Sequence, residues 1–482
     1  MASSRHLLAV VAFLLLEAGT AVALDPQPPE LVSVRWDTGE PSFGVCAVPR
    51  FARNSRFLAF GCLADQLVPG DSNNQTDSFL LDRQTGTIER VSVSSQGQQM
   101  HYPSAGGFAS TDGDRVAFVG LGPLHPDYGP PPPNDLGPSA AYLRHRSSGQ
   151  TDLISRAANG QALFGSVALW DARPDRNEIL FTFHGDPRIS EYQDLFGVAG
   201  QLWIRDWVTG EYELISRTPD GALSNGGGGL ASFSETGQYV VFTSRADDLG
   251  PPAQLGDTNV YWHDRLTGQT ERLTYPWQGG EFQQNHSVSP TPPRVSRDGR
   301  FVAFTTTSAE IHPDVAVPSG THVYLIDRQT GQLDHLSATP HPSYNTSVGM
   351  SADARYVAWA TRNFSFLGPP DPPADMRGVW VLDRHTGQRV NVAAPLGPLY
   401  LDNEVSVGMA PDGSAVAFTW RIADPDRPIL SNTQLYTAQL RGPTPPVPAP
   451  VPAVSAWLLA LLGVFIVLLG TIRLPNQRTC VR

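Results

Sequence analysis

Lysine is absent from this chain of 482 residues, and cysteine occurs only three times. All 34 basic side chains are therefore arginines, and 46 acidic side chains outweigh them to give a formal net charge of −12. Nucleic-acid binding needs clusters of cationic side chains that neutralise phosphates, so this balance argues against a nucleic-acid ligand. Common catalytic motifs are missing too: there is no G-x-S-x-G nucleophile elbow, no P-loop and no dinucleotide-binding fingerprint. The sequence therefore favours a protein that is not an enzyme.

Glycine and proline, by contrast, are plentiful, with 45 and 43 residues, which is typical of a turn-rich all-β domain. A phrase of the type Asp-x-x-Thr-Gly recurs at steps of 56 to 63 residues. A period of this size, built from short strands, predicts a repeat architecture. The copies, one of them worn, lie at Asp82–Gly86, His145–Gly149, Asp206–Gly210, Asp264–Gly268, Asp327–Gly331 and Asp383–Gly387.

One repeat is clearest between Leu230 and Tyr275, where four short apolar or alternating runs follow one another. This patterning predicts four strands, A to D, with a short A–B turn, a long B–C loop and a short C–D turn. Asp-Gly pairs and the Asp-x-x-Thr-Gly phrase supply the tight turns, because glycine adopts positive φ without steric cost. A–B turns of this kind are expected near Asn54, Asp112, Asp175, Thr236, Asp298, Asp353 and Asp412.

The last repeat lacks a D strand, since the chain turns to proline after Arg441. The missing strand is matched at the other end, where Glu30–Val34 resembles the D strands Arg90–Val93 and Glu213–Ser216. We therefore predict an all-β fold, a seven-bladed β-propeller over residues 24–441, closed by pairing of the N-terminal strand with the last blade. Closure would remove the open sheet edges.

The phrases S-x-D-G-x-x-V-A-F and V-Y-x-x-D-R-x-T-G resemble the TolB-type, WD-like propeller repeat. Leu67–Asn73, followed by Asp82–Gly86, is similar to the exported bacterial versions of that repeat. The resemblance covers roughly residues 29–441 and implies the propeller fold. It says little about activity, because this family includes both binding proteins and enzymes.

The N-terminal end predicts export. Residues 1–23 combine Arg5, an apolar segment at Leu7–Leu16 and an A-x-A site at Ala21–Ala23, the pattern of a cleaved signal peptide. At the other end we expect a Pro-rich linker and sorting motif (442–455), a transmembrane helix (456–472) and a basic cytoplasmic tail (473–482).

The segment Val451–Trp457 resembles an IPTL-type C-terminal sorting tail, with matches at Pro452, Ser455 and Trp457. This resemblance implies a bacterial protein that a membrane transpeptidase cuts and moves to the cell surface. A permanent single-span anchor is the alternative. Either way, the propeller is expected outside the inner membrane, in the periplasm or at the surface.

Cys46 and Cys62 lie at equal distances from the predicted turn at Asn54, so they should face each other across strands A and B. Opposed residues of an antiparallel pair come within disulfide reach, and exported proteins meet an oxidising environment. We predict a disulfide between them, with two buried thiols as the alternative.

The predicted loops are unequal, because B–C and D–A connections are long and lie on one face, whereas the tight turns lie on the other. Long loops on a rigid scaffold often carry binding residues, although they can also be tolerated insertions. Aromatics and carboxylates there favour a protein or glycan ligand. The candidate binding residues are His101, Tyr102, His125, Tyr128, His184, Asp186, Tyr192, Trp277, Glu281, His286, His312, His341 and Tyr344.

Asp71, Asn73 and Asp77 alternate like the oxygen ligands of a short calcium loop. An Asx turn leading into strand C is the simpler interpretation. No other cofactor is expected, because the histidines show neither H-x-H nor H-E-x-x-H spacing.

Three functions remain open from sequence: a surface binding module, an enzyme acting on polysaccharide, and a structural part of the envelope machinery. The enzyme, a metal-assisted lyase or a glycoside hydrolase, would need converging groups such as His184, His286 and His341, or a suitably spaced carboxylate pair. The binding module needs only the loop-bearing face and the two end signals, so we favour it.

Overall fold

The computed structural model describes residues 24–42, 44–64, 66–126, 139–163, 167–184, 200–250, 257–282, 291–313, 320–337, 344–362, 378–397, 405–421 and 433–440. The predicted signal peptide, linker, sorting motif, transmembrane helix and basic tail lie outside these ranges. Within the described ranges, the only helices are single 3-10 turns at Pro174–Arg176, Ala309–Ile311 and Ala394–Leu396. None of them is long and apolar enough to cross a bilayer.

Apart from these turns, the regular secondary structure of the described residues consists of β-strands. The first fourteen are β1 Glu30–Leu31, β2 Val45–Phe51, β3 Phe57–Leu63, β4 Asp77–Asp82, β5 Thr87–Arg90, β6 Ser104–Ala109, β7 Arg115–Leu121, β8 Ser139–His145, β9 Gln150–Leu153, β10 Ala168–Arg173, β11 Glu178–Phe183, β12 Gln201–Asp206, β13 Tyr212–Leu214 and β14 Gly229–Phe233. The others are β15 Tyr239–Ser244, β16 Asn259–Asp264, β17 Gln269–Arg272, β18 Arg294–Val295, β19 Phe301–Thr306, β20 His322–Asp327, β21 Gln332–His335, β22 Tyr344–Met350, β23 Tyr356–Arg362, β24 Gly378–Asp383, β25 Arg389–Asn391, β26 Val407–Met409, β27 Ala415–Arg421 and β28 Thr433–Gln439.

These strands pair as successive four-stranded antiparallel meanders, the arrangement typical of propeller blades. Repeat 1 is β2–β5, repeat 2 is β6–β9, repeat 3 is β10–β13, repeat 4 is β14–β17, repeat 5 is β18–β21 and repeat 6 is β22–β25. Repeat 7 consists of β26–β28, and β1 pairs with its last strand. A parallel bridge between Val45 and Thr433 joins repeat 7 to repeat 1.

The N-terminal segment takes the D-strand position of repeat 7. Its register places Glu30 opposite Thr437 and Leu31 opposite Tyr436. The Val32 amide donates to the Leu435 carbonyl at 2.8 Å, as Val91 donates to Ser78 in repeat 1. The Ser33 hydroxyl then accepts from the Leu435 amide at 3.0 Å, the same bond that Ser92, Ser155, Ser216, Thr274 and Ser337 make in other repeats.

The recurring Asp-x-x-Thr-Gly phrase forms each C–D turn. In repeat 5, the Asp327 carboxylate accepts the Gln329 amide at 3.0 Å, and the Gly331 amide donates to the Asp327 carbonyl at 2.8 Å. Gly331 has a φ of 74°, a left-handed conformation in which a side chain would be strained. The phrase therefore encodes one turn, with aspartate as its acceptor and glycine at its end.

The arginine in the second position of this phrase joins neighbouring repeats. Arg146 donates to Glu89 of repeat 1 at 2.8 Å, Arg265 to Glu213 of repeat 3 at 2.9 Å, and Arg328 to Glu271 of repeat 4 at 3.1 Å. In each case the acid lies on the D strand of the preceding repeat. The charged part of the repeated sequence is thus explained by contacts between repeats rather than by ligand chemistry.

Apolar side chains fill the space between neighbouring sheets. Leu180 and Leu202 of repeat 3, for example, pack with Val240 and Phe242 of repeat 4, and all four are fully buried. Within repeat 1, Cys46 lies directly opposite Cys62, and a disulfide joins them. This bond ties β2 to β3 at the ends away from their turn.

The disulfide closes a loop with a sequence separation of 16. Replacing both cysteines, as Cys46→Ala with Cys62→Ala, is expected to lower the free energy of unfolding by about 3 kcal/mol, because the unfolded chain regains its freedom. Chemical denaturation measures this, and the reduced wild-type protein should approach the double variant. Identical masses after alkylation with and without prior reduction would contradict the bond.

A substitution at Val32 tests whether the N-terminal segment packs against repeat 7, because Val32 is buried in the cluster that includes Leu435 and Leu58. Val32→Asp is expected to lower the free energy of unfolding by about 3 kcal/mol, because a carboxylate would lose its water without gaining a partner. Val208→Asp, at a turn position 69% exposed, is the matched control. Similar losses in the two variants would argue against the pairing.

Candidate functional site

The two ends of the sheets differ. The A–B and C–D turns, such as 111–114 and 146–149, lie on what we call the turn face. The B–C and D–A connections lie at the opposite ends of the strands, on the loop face. Much of the loop face falls outside the described residues, including Tyr128, Asp186, Tyr192, His286 and His341.

The remaining candidates lie in separate places. In repeat 2, Tyr102 packs against Gly122, near His125, while His101 is exposed. Between repeats 4 and 5, Trp277 is 54% exposed and its amide donates to the Glu310 carbonyl at 2.9 Å. Glu281 pairs with Arg272 at 2.9 Å in the same region. Tyr344 begins β22.

His184 borders a recess of about 470 Å³ on the loop face, between repeats 3 and 4. Trp170, Thr182 and Arg245 line it together with Gly226, Gly228 and Gly229. The Trp170 indole donates to the Thr182 hydroxyl at 2.6 Å, and that hydroxyl donates to the Gly228 carbonyl at 2.8 Å, so these groups are held in place.

The chemistry of this recess is mixed. Among the described residues, His184 Nδ1 is buried and has no hydrogen-bond partner. A Cβ on Gly226 would come within 2.1 Å of the Ala246 amide nitrogen, so the glycine lets the two backbones approach. An indole, an imidazole, a guanidinium and bare backbone around one concavity suit a ligand with both apolar and polar surfaces.

His312 lies in a different cluster, with two histidines that the sequence did not single out. His335 Nε2 and His322 Nδ1 are hydrogen-bonded at 3.2 Å, and the Tyr324 ring stacks on His335 at 4.8 Å between centroids. Burial lowers the pKa of His322 and raises that of Tyr324. Across the described residues, no three histidine, cysteine or acidic side chains converge as metal ligands.

The predicted calcium ligands surround an arginine. Arg90 pairs with Asp71 at 2.9 Å and with Asp77 at 3.6 Å. Asn73 accepts the Gln75 amide at 3.1 Å, which is an Asx turn, and donates to the Met100 carbonyl at 2.8 Å. Positive charge is thus supplied by the protein itself at this loop.

Asp77 also occupies a position shared among repeats. Its carboxylate accepts the Ser92 hydroxyl at 2.5 Å, as Gln201 accepts that of Ser216 at 2.7 Å and Asn259 that of Thr274 at 2.8 Å. Burial raises the pKa of Asp77, although Ser92 and Arg90 oppose the rise. A polar side chain here fastens strand C to strand D, and calcium binding stays a prediction.

Sequence reasoning missed a cavity that lies between the A strands. A cavity of about 150 Å³ is lined by A-strand residues of all the repeats, at the end nearest the A–B turns. Its charged lining includes Arg50, Asp171 and Arg294. The only cue in the sequence was the position of these residues, three residues before the A–B turn, where the other A strands carry small or apolar residues.

Comparisons with known proteins give no family for the chain. No family model matches it, and no curated protein matches it. Among solved structures, a putative TolB from Agrobacterium tumefaciens is 15% identical, covers 61% of this chain and 80% of its own, and has a TM-score of 0.34.

Two further structures are similar over more of the chain, each at 11% identity and a TM-score of 0.42. The Cps50 (Swd1) β-propeller domain of Myceliophteria thermophila covers 85% of this chain and 99% of its own. Kuenenia stuttgartiensis hydrazine synthase covers 87% and 97%, respectively. Likenesses this weak carry no inference about function.

The Asp71–Asp77 loop gives a prediction about calcium. Because Arg90 already pairs with both carboxylates, we expect the melting temperature to be unchanged by EDTA and by millimolar calcium. Arg90→Ala is expected to lower the free energy of unfolding by about 3 kcal/mol, since it leaves Asp77 buried without its cation. A calcium-dependent rise in the melting temperature of the wild-type protein would instead identify an ion site.

Proposed function

We propose that the chain is an exported seven-bladed β-propeller that acts as a binding module through its loop face. The ligand is a glycan or a protein segment outside the inner membrane. The observation that carries this proposal is the recess between repeats 3 and 4, where Trp170, His184 and Arg245 meet a bare glycine backbone.

Closure into a ring is supported by contacts between successive A–B turns, in addition to the pairing of β1 with β28. Each turn is hydrogen-bonded to the next, and the last is bonded to the first. The bonds run from Asn54 to Thr111, Thr111 to Asp175, Arg173 to Thr236, Thr236 to Arg297, Arg297 to Ala352, Ala352 to Pro411 and Asp412 to Ser55.

The ligand class follows from the side chains of the loop face. Trp170 offers an indole beside polar groups, and Trp277 and Tyr275 are exposed aromatics at the neighbouring junction. Aromatic rings of this kind pack against the apolar faces of sugars and against protein side chains, while imidazole and guanidinium groups hydrogen-bond to polar edges. A rigid ring would present them without reorganisation.

The location rests on the two ends of the chain. The signal-like residues 1–23 and the apolar segment 456–472 support export and anchoring, with a sorting transpeptidase as a partner if the motif at Pro452, Ser455 and Trp457 is cut. The Cys46–Cys62 disulfide fits the oxidising environment that such a protein meets.

The enzymatic alternative has no comparable support. It requires His184, His286 and His341 to converge, or a spaced carboxylate pair, and two of those histidines lie outside the described residues. It therefore stays a prediction, to be tested by sugar-cleavage assays on the same protein.

Residues 24–441, applied to glycan and peptide arrays, test the binding function. We expect His184→Ala and Arg245→Ala each to weaken binding of the captured ligand at least tenfold, because each removes a polar contact worth about 1.4 kcal/mol or more. Arg176→Ala, an exposed arginine on the turn face, is the matched control. Unchanged binding in both recess variants would place the ligand elsewhere.

A further inference from the structure

One residue of each A strand occupies an equivalent position around the cavity of about 150 Å³. We call these seven residues the ring and the space they enclose the channel. Each of them pairs with the third residue of its B strand, as Arg50 does with Ala59 and Arg294 with Ala303. In chain order the ring consists of Arg50, Phe108, Asp171, Ser232, Arg294, Gly349 and Gly408. Charge is therefore confined to repeats 1, 3 and 5.

The two glycines make this ring asymmetric. A Cβ on Gly408 would lie 2.4 Å from the Pro49 carbonyl oxygen, and one on Gly349 would lie 3.0 Å from the Met409 amide nitrogen. The backbones of repeats 6, 7 and 1 consequently approach closely, and repeats 6 and 7 contribute no side chain to the ring. The charged side chains of the ring belong to repeats 1, 3 and 5.

The arginines of the ring keep unused donors. The Arg50 guanidinium lies 4.7 Å from the centroid of the Phe108 ring and donates no hydrogen bond to the described residues. Arg294 uses its Nε to reach the Val348 carbonyl at 3.2 Å, which leaves its terminal amino groups without acceptors in the described part of the chain.

Asp171 does not neutralise them by direct contact. One of its oxygens accepts the Ala172 amide at 2.8 Å and the other accepts the Phe233 amide at 2.9 Å. It forms no ion pair with Arg50 or Arg294 in the described structure. Backbone amides therefore hold the Asp171 carboxylate. It acts on the two arginines through its negative charge and not through a hydrogen bond.

The confinement of the two arginines lowers their pKa values. Burial, and then the positive charge of Arg294, lowers the pKa of Arg50 to about 10, against the opposing effect of Asp171. Burial also lowers the pKa of Arg294. Two confined guanidinium groups with unused donors repel each other when no anion lies between them. An oxyanion would satisfy them, because a guanidinium group binds one with two parallel hydrogen bonds.

The cavity meets the surface on the turn face. A recess of about 440 Å³ there shares Arg53 and Glu235 with the cavity. Arg53 crosses from repeat 1 to repeat 4 and donates to the Glu235 carbonyl at 2.7 Å, while the Glu235 carboxylate accepts from Arg297 at 2.6 Å. An entering group would pass beside Arg53.

We propose that the turn-face end of the channel binds a carboxylate, held by Arg50 and Arg294. The ring carries two arginines and one aspartate, so a single negative charge balances it, and Asp171 repels a second one. A carboxylate meets this requirement better than a phosphate dianion. The group comes from a free carboxylic acid or from the C-terminus of a peptide, since both present the same two oxygens.

Thermal shift and calorimetry on the full-length protein in detergent, with sodium acetate and chloride at equal ionic strength, test the site. Acetate is expected to raise the melting temperature and chloride is not. Arg50→Gln and Arg294→Gln should each weaken acetate binding at least tenfold, whereas Arg389→Gln, at an exposed position on β25, should leave it unchanged. Circular dichroism verifies that the variants fold, which is expected because each removes a confined charge.

Two further comparisons sharpen the outcome. Asp171→Asn should strengthen inorganic phosphate binding at least threefold, because the repelling charge is gone. A short peptide with a free C-terminus should bind more tightly than acetate, and its amidated form should not bind, if peptides are the source; equal binding of acetate and peptide points to a free acid.

The proposal is overturned if acetate and chloride act alike, if the glutamine variants bind acetate as the wild-type protein does, or if phosphate binds the wild-type protein more tightly than acetate. The outcome is separate from that of the loop-face function. His184→Ala and Arg245→Ala lie at the other end of the A strands and should retain acetate binding.

Discussion

The antiparallel pairing of β1 with β28 supplies the fourth strand of repeat 7, and the integrity of that sheet depends on it. Without Glu30–Leu31 and the Ser33 hydroxyl, the last strand would expose a row of unpaired backbone groups, and the cluster around Leu435 and Val32 would lose its cover. Residues of every A strand line one cavity, and a bridge between Val45 and Thr433 joins the last sheet to the first.

Much of this arrangement can be predicted from the sequence, because the repeats share the same local sequence patterns. Asp-x-x-Thr-Gly encodes a turn in which the aspartate accepts hydrogen bonds and the glycine adopts positive φ. The strand order, and the strand at Glu30–Val34 that completes the last repeat, could therefore be predicted. The opposed position of Cys46 and Cys62 followed from the same counting. Such features depend on residues close in sequence or related by the period.

The channel charges could not be predicted in the same way. Arg50, Asp171 and Arg294 are unrelated residue types at equivalent positions, so no repeated phrase marks them, and their meaning appears only when distant A strands converge. The alternating oxygens at Asp71–Asp77 resemble ion ligands in sequence, and the structure adds Arg90 of strand D as a partner of Asp71 and Asp77. Sequence spacing does not reveal which partner satisfies a charge.

The origin of the fourth strand of repeat 7 has a consequence for biogenesis. Val32 and Leu435 lie at opposite ends of the chain, so synthesis must be nearly finished before their hydrogen bond can form. The earlier sheets can assemble in order, but repeat 7 stays incomplete until the C-terminal portion emerges. This late step fits the export that we propose, because a chain that completes its fold late stays extended while it crosses a membrane.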